Sequence, residues 1–176
     1  MITWNPNQQV VNTNIFLACT QAAVTAGAGL STTVATISLS NDITSKKNLV
    51  LINAQWHFTV TPTAASVIAL VGNYNASTNV THTTPLLVQS AYINAVGGTG
   101  TTNAVGKADT AATLPTTPVY YMPFVSEQAS TGLAVALQSD MAGIFVIPPG
   151  GYVAIQASSA ATGFASLMWA EYPVSI

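Results

Sequence analysis

The chain has 176 residues, of which 49% are hydrophobic and 5% are charged, with three lysines, no arginine and a formal net charge of −2. This length is enough for one domain with a sizeable core, and the hydrophobic content excludes an intrinsically disordered chain. So few cations exclude extensive pairing with nucleic-acid phosphates. The single cysteine, Cys19, excludes an internal disulfide and a cysteine-rich zinc site. No run reaches the ~18 consecutive apolar residues of a membrane helix, so neither nucleic acid nor a membrane is expected as a partner.

The chain begins with a segment that has no periodic face. Residues 1–14 combine Trp4 and Pro6 with several Asn and Gln residues. We therefore expect an N-terminal arm over 1–14, followed by a single domain over 15–176. Strands are predicted from Val11 to Cys19 and from Val34 to Leu39.

The clearest alternation of apolar and polar residues lies between Val50 and Val60. The even positions place on one face Val50, Ile52, Ala54, Trp56, Phe58 and Val60. The odd positions from 53 onwards are polar and include His57. A period of two predicts a strand with one dry and one wet face. Pro62 ends this strand, because proline cannot donate to a sheet ladder.

The middle of the chain is less regular. A strand is predicted from Ser66 to Val71, and the segment after Thr84-Pro85 fits either a short helix or a strand. Ala95 to Pro118 is rich in Gly and Thr and has no apolar run. We predict one long loop there, which in a compact domain is usually functional or mobile.

The C-terminal part returns to short strands separated by turns. Ile144 to Ile147 reads as a short buried run, and Pro148-Pro149-Gly150-Gly151 fits a type II turn. Further strands are predicted over Val119 to Val125, Leu133 to Leu137, Tyr152 to Gln156 and Phe164 to Tyr172. The pattern predicts an all-β protein, an antiparallel sandwich of about eight strands.

The residues that carry chemistry are few and isolated in sequence. The acidic residues are Asp42, Asp109, Glu127, Asp140 and Glu171, and the three aspartates read as turn residues. His57 and His82 each stand alone, and no base lies near Cys19 in sequence. A pair of carboxylates brought together by the fold remains the one catalytic alternative. We predict a protein that is not an enzyme, with no catalytic, cofactor-binding or metal-binding residues.

The low charge is itself informative. A surface covered by Thr, Ser, Asn and Ala is cheap to order and to desolvate, which favours broad contacts between subunits. We therefore expect a homo-oligomer with cyclic symmetry. Its contact residues are predicted to include the aromatic and proline side chains near the two termini, namely Trp4, Pro6, Trp169 and Tyr172.

The C-terminal segment also carries a resemblance. Ile147-Pro148-Pro149-Gly150-Gly151-Tyr152-Val153-Ala154-Ile155 and the later Trp169-Ala170-Glu171-Tyr172-Pro173 resemble the closing strands of jelly-roll proteins in tailed-phage virions. The charge-poor texture is similar to that of capsid decoration (cement) proteins of tailed bacteriophages. The resemblance implies a jelly-roll homotrimer on the outer capsid surface that bridges major capsid proteins. The alternative is a carbohydrate- or receptor-binding jelly-roll module of a phage fibre or tail, which would need exposed aromatic side chains.

Overall fold

The computed structural model describes residues 14–34, 36–90, 104–127 and 136–174, and none of these is helical. They form thirteen strands. The strands are β1 Ile15–Cys19, β2 Val24–Ala26, β3 Thr33–Val34, β4 Ile37–Asn41, β5 Lys47–Phe58, β6 Ser66–Tyr74, β7 Thr81–Pro85, β8 Gln89–Ser90, β9 Gly106–Thr113, β10 Val119–Glu127, β11 Ala136–Ile147, β12 Gly151–Ala157 and β13 Ala161–Pro173. In this part of the chain, no helix is long and apolar enough to span a membrane.

Eight of these strands pair in a nested, antiparallel order. β1 pairs with β13, β4 with β12, β5 with β11 and β6 with β10. The chain therefore runs out along one half of a long hairpin and returns along the other, and the hairpin is rolled into two packed sheets. One sheet contains the order β11-β5-β13-β1 and the other the order β10-β6-β12-β4. This arrangement is a jelly roll and confirms the predicted all-β, antiparallel sandwich with eight principal strands.

The insertion between β6 and β10 extends the sandwich at one side. β9 pairs with β4, β7 pairs with β9, and β8 pairs with β1 in the other sheet. The prediction of one long loop from Ala95 to Pro118 is thus wrong over β9, where Gly106, Ala108 and Ala112 pack inward. Such small residues make no apolar run that a sequence reading would detect. After Pro85, residues 86–88 form neither helix nor strand and are followed by the two-residue β8, so the helix alternative is wrong for residues 86–90.

β5 has a change of face that strict alternation does not predict. Ala54, Trp56 and Phe58 point into the core as predicted, but the other inward residues are Leu49 and Leu51, not Val50 and Ile52. The cause is a β-bulge, because Met168 pairs with Asn53 whereas Trp169 pairs with Leu51. The bulge leaves Val50 and Ile52 half-buried on the outer face of the sheet.

The predicted turn at Pro148 is confirmed. The amide of Gly151 donates to the carbonyl of Pro148 over 2.8 Å, and Gly150 has a φ of 87°, the positive value that a type II turn requires. The run before it is only partly buried: Ile147 is in the core, but Ile144 and Val146 are exposed. β11 is the end strand of its sheet, with only one face against the core, so the prediction of a fully buried run is wrong.

The described residues form two hydrophobic clusters, one on each face of the seven-stranded sheet. The main core lies between the sheets and includes Trp56 and Trp169. A second cluster covers the opposite face, where Val34 and Leu114 pack on Val71 and Tyr152. The Tyr152 hydroxyl also donates to the carbonyl of Thr116 over 2.6 Å. As a result, β12 is buried along its whole length.

Candidate functional site

The residues predicted as contacts are placed very differently. Trp4 and Pro6, together with almost all of the predicted arm, lie outside the described residues. Trp169 has no exposed surface, because it lies in the main core against Phe16. It therefore cannot touch a partner, and the prediction for this residue is wrong. Tyr172 lies on the outward face of β13 and is half-buried. This partial burial raises the pKa of its hydroxyl.

The largest group of exposed apolar side chains lies elsewhere, along β10 and β11. These are the end strands of the two sheets on the same side of the sandwich. We name this surface the open edge, and it comprises Tyr74, Val119, Tyr120, Tyr121, Ile144 and Val146. Ile144 is 78% exposed and the three tyrosines are about half exposed. These side chains face three directions: Tyr121 faces the gap between the sheets, Tyr120 pairs with Val71 on the outer face of the seven-stranded sheet, and Val146 pairs with Val50 on the outer face of the six-stranded sheet.

A pair of stacked rings connects the two strands of the open edge. Tyr121 on β10 stacks on Phe145 on β11 with ring centroids 5.9 Å apart and an angle of 23° between the planes. Tyr121 is the extra residue of a bulge, since Tyr120 pairs with Val71 and Met122 with Leu70. Its ring lies above Gly72, where a Cβ would approach the ring to 2.8 Å. The bulge and the glycine together aim this tyrosine across the gap between the sheets.

The pairing of β11 explains why Ile144 points outward. Asp140 pairs with Asn53 and Phe145 with Leu51, so extra residues of β11 lie between these two points. Ile144 stands in this irregular segment, next to the stacked ring of Phe145. None of the residues from Val119 to Pro123 or from Met141 to Ile147 is charged. The exposed apolar side chains of these two segments therefore have only uncharged neighbours along their own strands.

On the opposite side of the sandwich, the fold brings together two residues that were predicted to stand apart. His82 Nδ1 lies 2.6 Å from Asp109 Oδ2. Asp109 has no exposed surface and lies inside β9, so its predicted place in a turn is wrong. His82 Nε2 and Asp109 Oδ1 are buried without a hydrogen-bond partner among the described residues. Nε2 has no exposed surface with which to reach a substrate, so the pair acts as a clasp between β7 and β9.

A groove of about 470 Å³ lies beside this clasp. Its walls come from β7, from the connection to β8 and from the start of β9. They are mostly apolar, and the lining residues are His82, Pro85, Leu86, Leu87, Val88, Ala104, Gly106, Lys107, Ala108 and Asp109. Leu86, Val88 and Ala104 also pack on the main core, which fixes the floor, while Leu87 is 61% exposed.

Glu171 is a second polar centre on this side. Its Oε1 accepts hydrogen bonds from the amides of Val105 and Gly106 at 2.8 and 2.9 Å, and from Trp169 Nε1 at 3.3 Å. Its Oε2 pairs with Lys47 Nζ at 3.0 Å. The carboxylate has no exposed surface. It holds the start of β9 against β13 through four donors, three on Oε1 and one on Oε2.

The remaining candidates for chemistry lie apart from each other. His57 is exposed on the outer face of its sheet, as its polar position predicts. Cys19 is half-buried, and burial raises the pKa of its thiol. Among the described residues, no group of three or more His, Cys, Asp or Glu side chains is placed to hold a metal ion.

Sequence reasoning missed the open edge, although one signal for it is present. Two consecutive tyrosines, Tyr120 and Tyr121, stand in a strand whose successive side chains point to opposite faces, so at least one must leave the main core. Comparison with known proteins found no matching family, no similar curated protein and no similar solved structure.

Proposed function

We propose that this protein is a non-enzymatic virion structural protein, a capsid decoration (cement) protein that oligomerises and stabilises the shell by bridging major capsid proteins. The observation that carries the proposal is the set of exposed apolar side chains at the end strands β10 and β11, on a chain with only 5% charged residues. Such a surface is costly to expose and cheap to cover with protein. The jelly-roll fold agrees with the resemblance of the C-terminal segment, and the proposed location is the outer capsid surface.

The mechanism would be additive. A subunit that touches two neighbouring shell proteins gains most when both contacts form at once, because the second contact is intramolecular after the first. Interfaces of standard size, roughly 1,600 Å² in total, are sufficient for each contact. No chemical step and no cofactor are required.

The alternative, a carbohydrate- or receptor-binding module, finds some support in the exposed tyrosines. The depression beside the Tyr121–Phe145 stack, lined also by Asn73 and Tyr74, holds only about 70 Å³. Ligand pockets usually hold roughly 300–1,000 Å³. A flat apolar surface of this kind fits a protein partner better than a sugar, and a glycan array without a hit would agree with this preference.

The proposal is tested on particles of the virus that encodes the chain. Purified capsids are washed at increasing NaCl concentrations, and the retained chain is measured by quantitative mass spectrometry. Because few charges take part, we expect the retained amount to change little between low and molar salt. Absence of the chain from purified particles, or its detachment as salt rises, would overturn the proposal. The matched control is a variant of the chain with lysines added to its contact face. Because this variant would bind through ion pairs, its retention should fall as salt rises.

A further inference from the structure

A row of four apolar side chains crosses the outer face of the six-stranded sheet. Ile15 pairs with Ala170, Ala170 pairs with Val50, and Val50 pairs with Val146. Residues directly opposite each other in paired strands lie on the same face, and Val50 lies on the outer face. We name these four residues the outer row, which runs from β1 through β13 and β5 to β11.

The burial of the outer row is uneven. Ala170 has no exposed surface and Ile15 is 3% exposed, whereas Val50 is half-buried and Val146 is 54% exposed. The protection from solvent therefore falls from β1 and β13 towards β11. Because all four side chains point to the same side of one sheet, a cover over β1 and β13 accounts for this difference.

The described strands do not supply this cover. All thirteen belong to the two sheets, and the main core lies on the inner face of the six-stranded sheet. Among the buried hydrophobic residues that the structure describes, Ile15 and Ala170 are the two that belong to neither hydrophobic cluster. These observations favour a cover that comes from a segment outside the described residues.

The N-terminal segment, residues 1–13, joins the described chain at this position. It is followed by Asn14, whose carbonyl accepts a hydrogen bond from the amide of Glu171 over 2.9 Å. Asn14 and Glu171 are the sequence neighbours of Ile15 and Ala170. The segment is therefore attached at the protected end of the outer row.

The length and composition of this segment fit the outer row. An extended chain spans at most about 3.3–3.6 Å per residue, and neighbouring strands lie about 4.8 Å apart. The four residues from Val11 to Ile15 are thus long enough to reach from β1 to Val50. Residues 1–13 carry no charged side chain, and Val10 and Val11 are the apolar residues of this segment that are nearest to Ile15 in sequence.

We propose that residues 1–13 dock on the outer row of their own chain, with Val10 and Val11 over Ile15 and Ala170. The contact is apolar on both sides, so no charged group is desolvated when it forms. Trp4 and Pro6 lie further along the segment and are not needed for this contact. The inference goes beyond the proposed function and does not depend on it.

The first test is disulfide formation in the full chain with Cys19→Ser. One variant carries Val11→Cys with Val50→Cys. The matched control carries Val11→Cys with Lys107→Cys, because Lys107 is also close to Asn14, through Glu171 and Gly106, but lies at the groove. Peptide mass spectrometry after mild oxidation measures the rates, and non-reducing electrophoresis separates disulfides within one chain from those between chains. We expect the Val50 pair to form within one chain about ten-fold faster than the control pair.

The second test measures the exposure of the outer row. Val10→Asp/Val11→Asp in the full chain should release the segment, and the fluorescence of anilinonaphthalene sulfonate, which binds exposed apolar surface, should rise about two-fold or more. Gln8→Asp/Gln9→Asp adds the same charge at neighbouring polar positions and should leave the fluorescence unchanged. Circular dichroism checks that both variants are folded.

Equal disulfide rates for the two cysteine pairs, or disulfides formed only between chains, would overturn the inference. An unchanged dye signal in the valine variant would also overturn it. The other segment that could cover the row is 91–103, since it follows Ser90, which pairs with Phe16. A rise in dye binding with Tyr92→Asp but not with the valine variant would assign the cover to that segment instead. All readouts use the isolated chain, so they remain informative whether or not the chain is found on virus particles.

Discussion

The two sides of the sandwich differ in how their last strands are completed. On the side of β7, β8 and β9, an insertion covers the gap between the sheets. Polar contacts hold it there, made by Glu171 with Lys47 and two amides and by Asp109 with His82. On the open edge, within the part of the chain that the structure describes, the stacked rings of Tyr121 and Phe145 cross the gap. One side is completed by its own chain, and the other presents apolar groups outward.

This difference separates stability from binding. Substitutions at the paired groups of the closed side should lower the free energy of unfolding, because they leave buried donors or charges without partners. Substitutions at the open edge should leave folding nearly unchanged, because the altered groups already face solvent.

The largest effect is expected at Glu171. Glu171→Ala leaves the amides of Val105 and Gly106 and the indole of Trp169 without their acceptor, so we expect a loss of about 3–5 kcal/mol in urea unfolding. The matched control is Lys47→Met. Its ion pair is about one third exposed on the lysine side, and the buried Glu171 carboxylate keeps its three N–H donors, so its removal should cost less, about 1–2 kcal/mol. Equal losses for the two variants would contradict the assigned role of Glu171.

A smaller effect is expected at the clasp between β7 and β9. His82→Ala leaves the fully buried carboxylate of Asp109 without its partner, and we expect a loss of about 2–3 kcal/mol because the histidine is itself partly exposed. The double variant His82→Ala/Asp109→Ala removes both groups and should be more stable than the single variant. Thermal and urea unfolding measure both. Additive losses in this cycle would show that the two side chains do not act together.

On the open edge, Tyr121→Ala removes the stack on Phe145 and should cost about 1 kcal/mol. Tyr121→Phe should cost little, because the stack is made by the ring and the phenylalanine ring keeps it. Ile144→Ser, at the most exposed apolar position, should change the unfolding free energy by no more than about 0.5 kcal/mol. A loss at Ile144 as large as the loss at Glu171 would erase the contrast between the two sides.

The smallest effect concerns Cys19. Burial raises the pKa of its thiol, so at pH 8 the folded chain should hold less thiolate than an unfolded one and react more slowly with iodoacetamide. Because the folded pKa lies above the unfolded pKa, the thiol contributes stability below the unfolded pKa, and this contribution is lost as pH rises through the folded pKa. The urea-denatured chain is the control. Equal rates in the folded and unfolded chains would contradict the effect of burial.

The parts of the fold that the sequence predicts are those with strong periodicity or turn chemistry. Trp56 and Phe58 on one face of β5 and the turn before Gly151 were predicted from local pattern alone. The sequence does not predict β9, because the buried residues of this strand include glycine and alanine, which make no apolar run. It also does not predict that Val50 faces outward, because the bulge responsible depends on the strand that pairs with β5. The contact between His82 and Asp109 joins residues 27 positions apart, and only the paired strands bring them together.

The most direct test of the proposed decoration role is cryo-electron microscopy of virus particles purified from a source that expresses the chain, with the chain located in the density. We expect one jelly roll per site on the outer face of the shell, in contact with neighbouring major capsid proteins. Density for the chain on the tail alone, or a shell without the chain, would contradict this role.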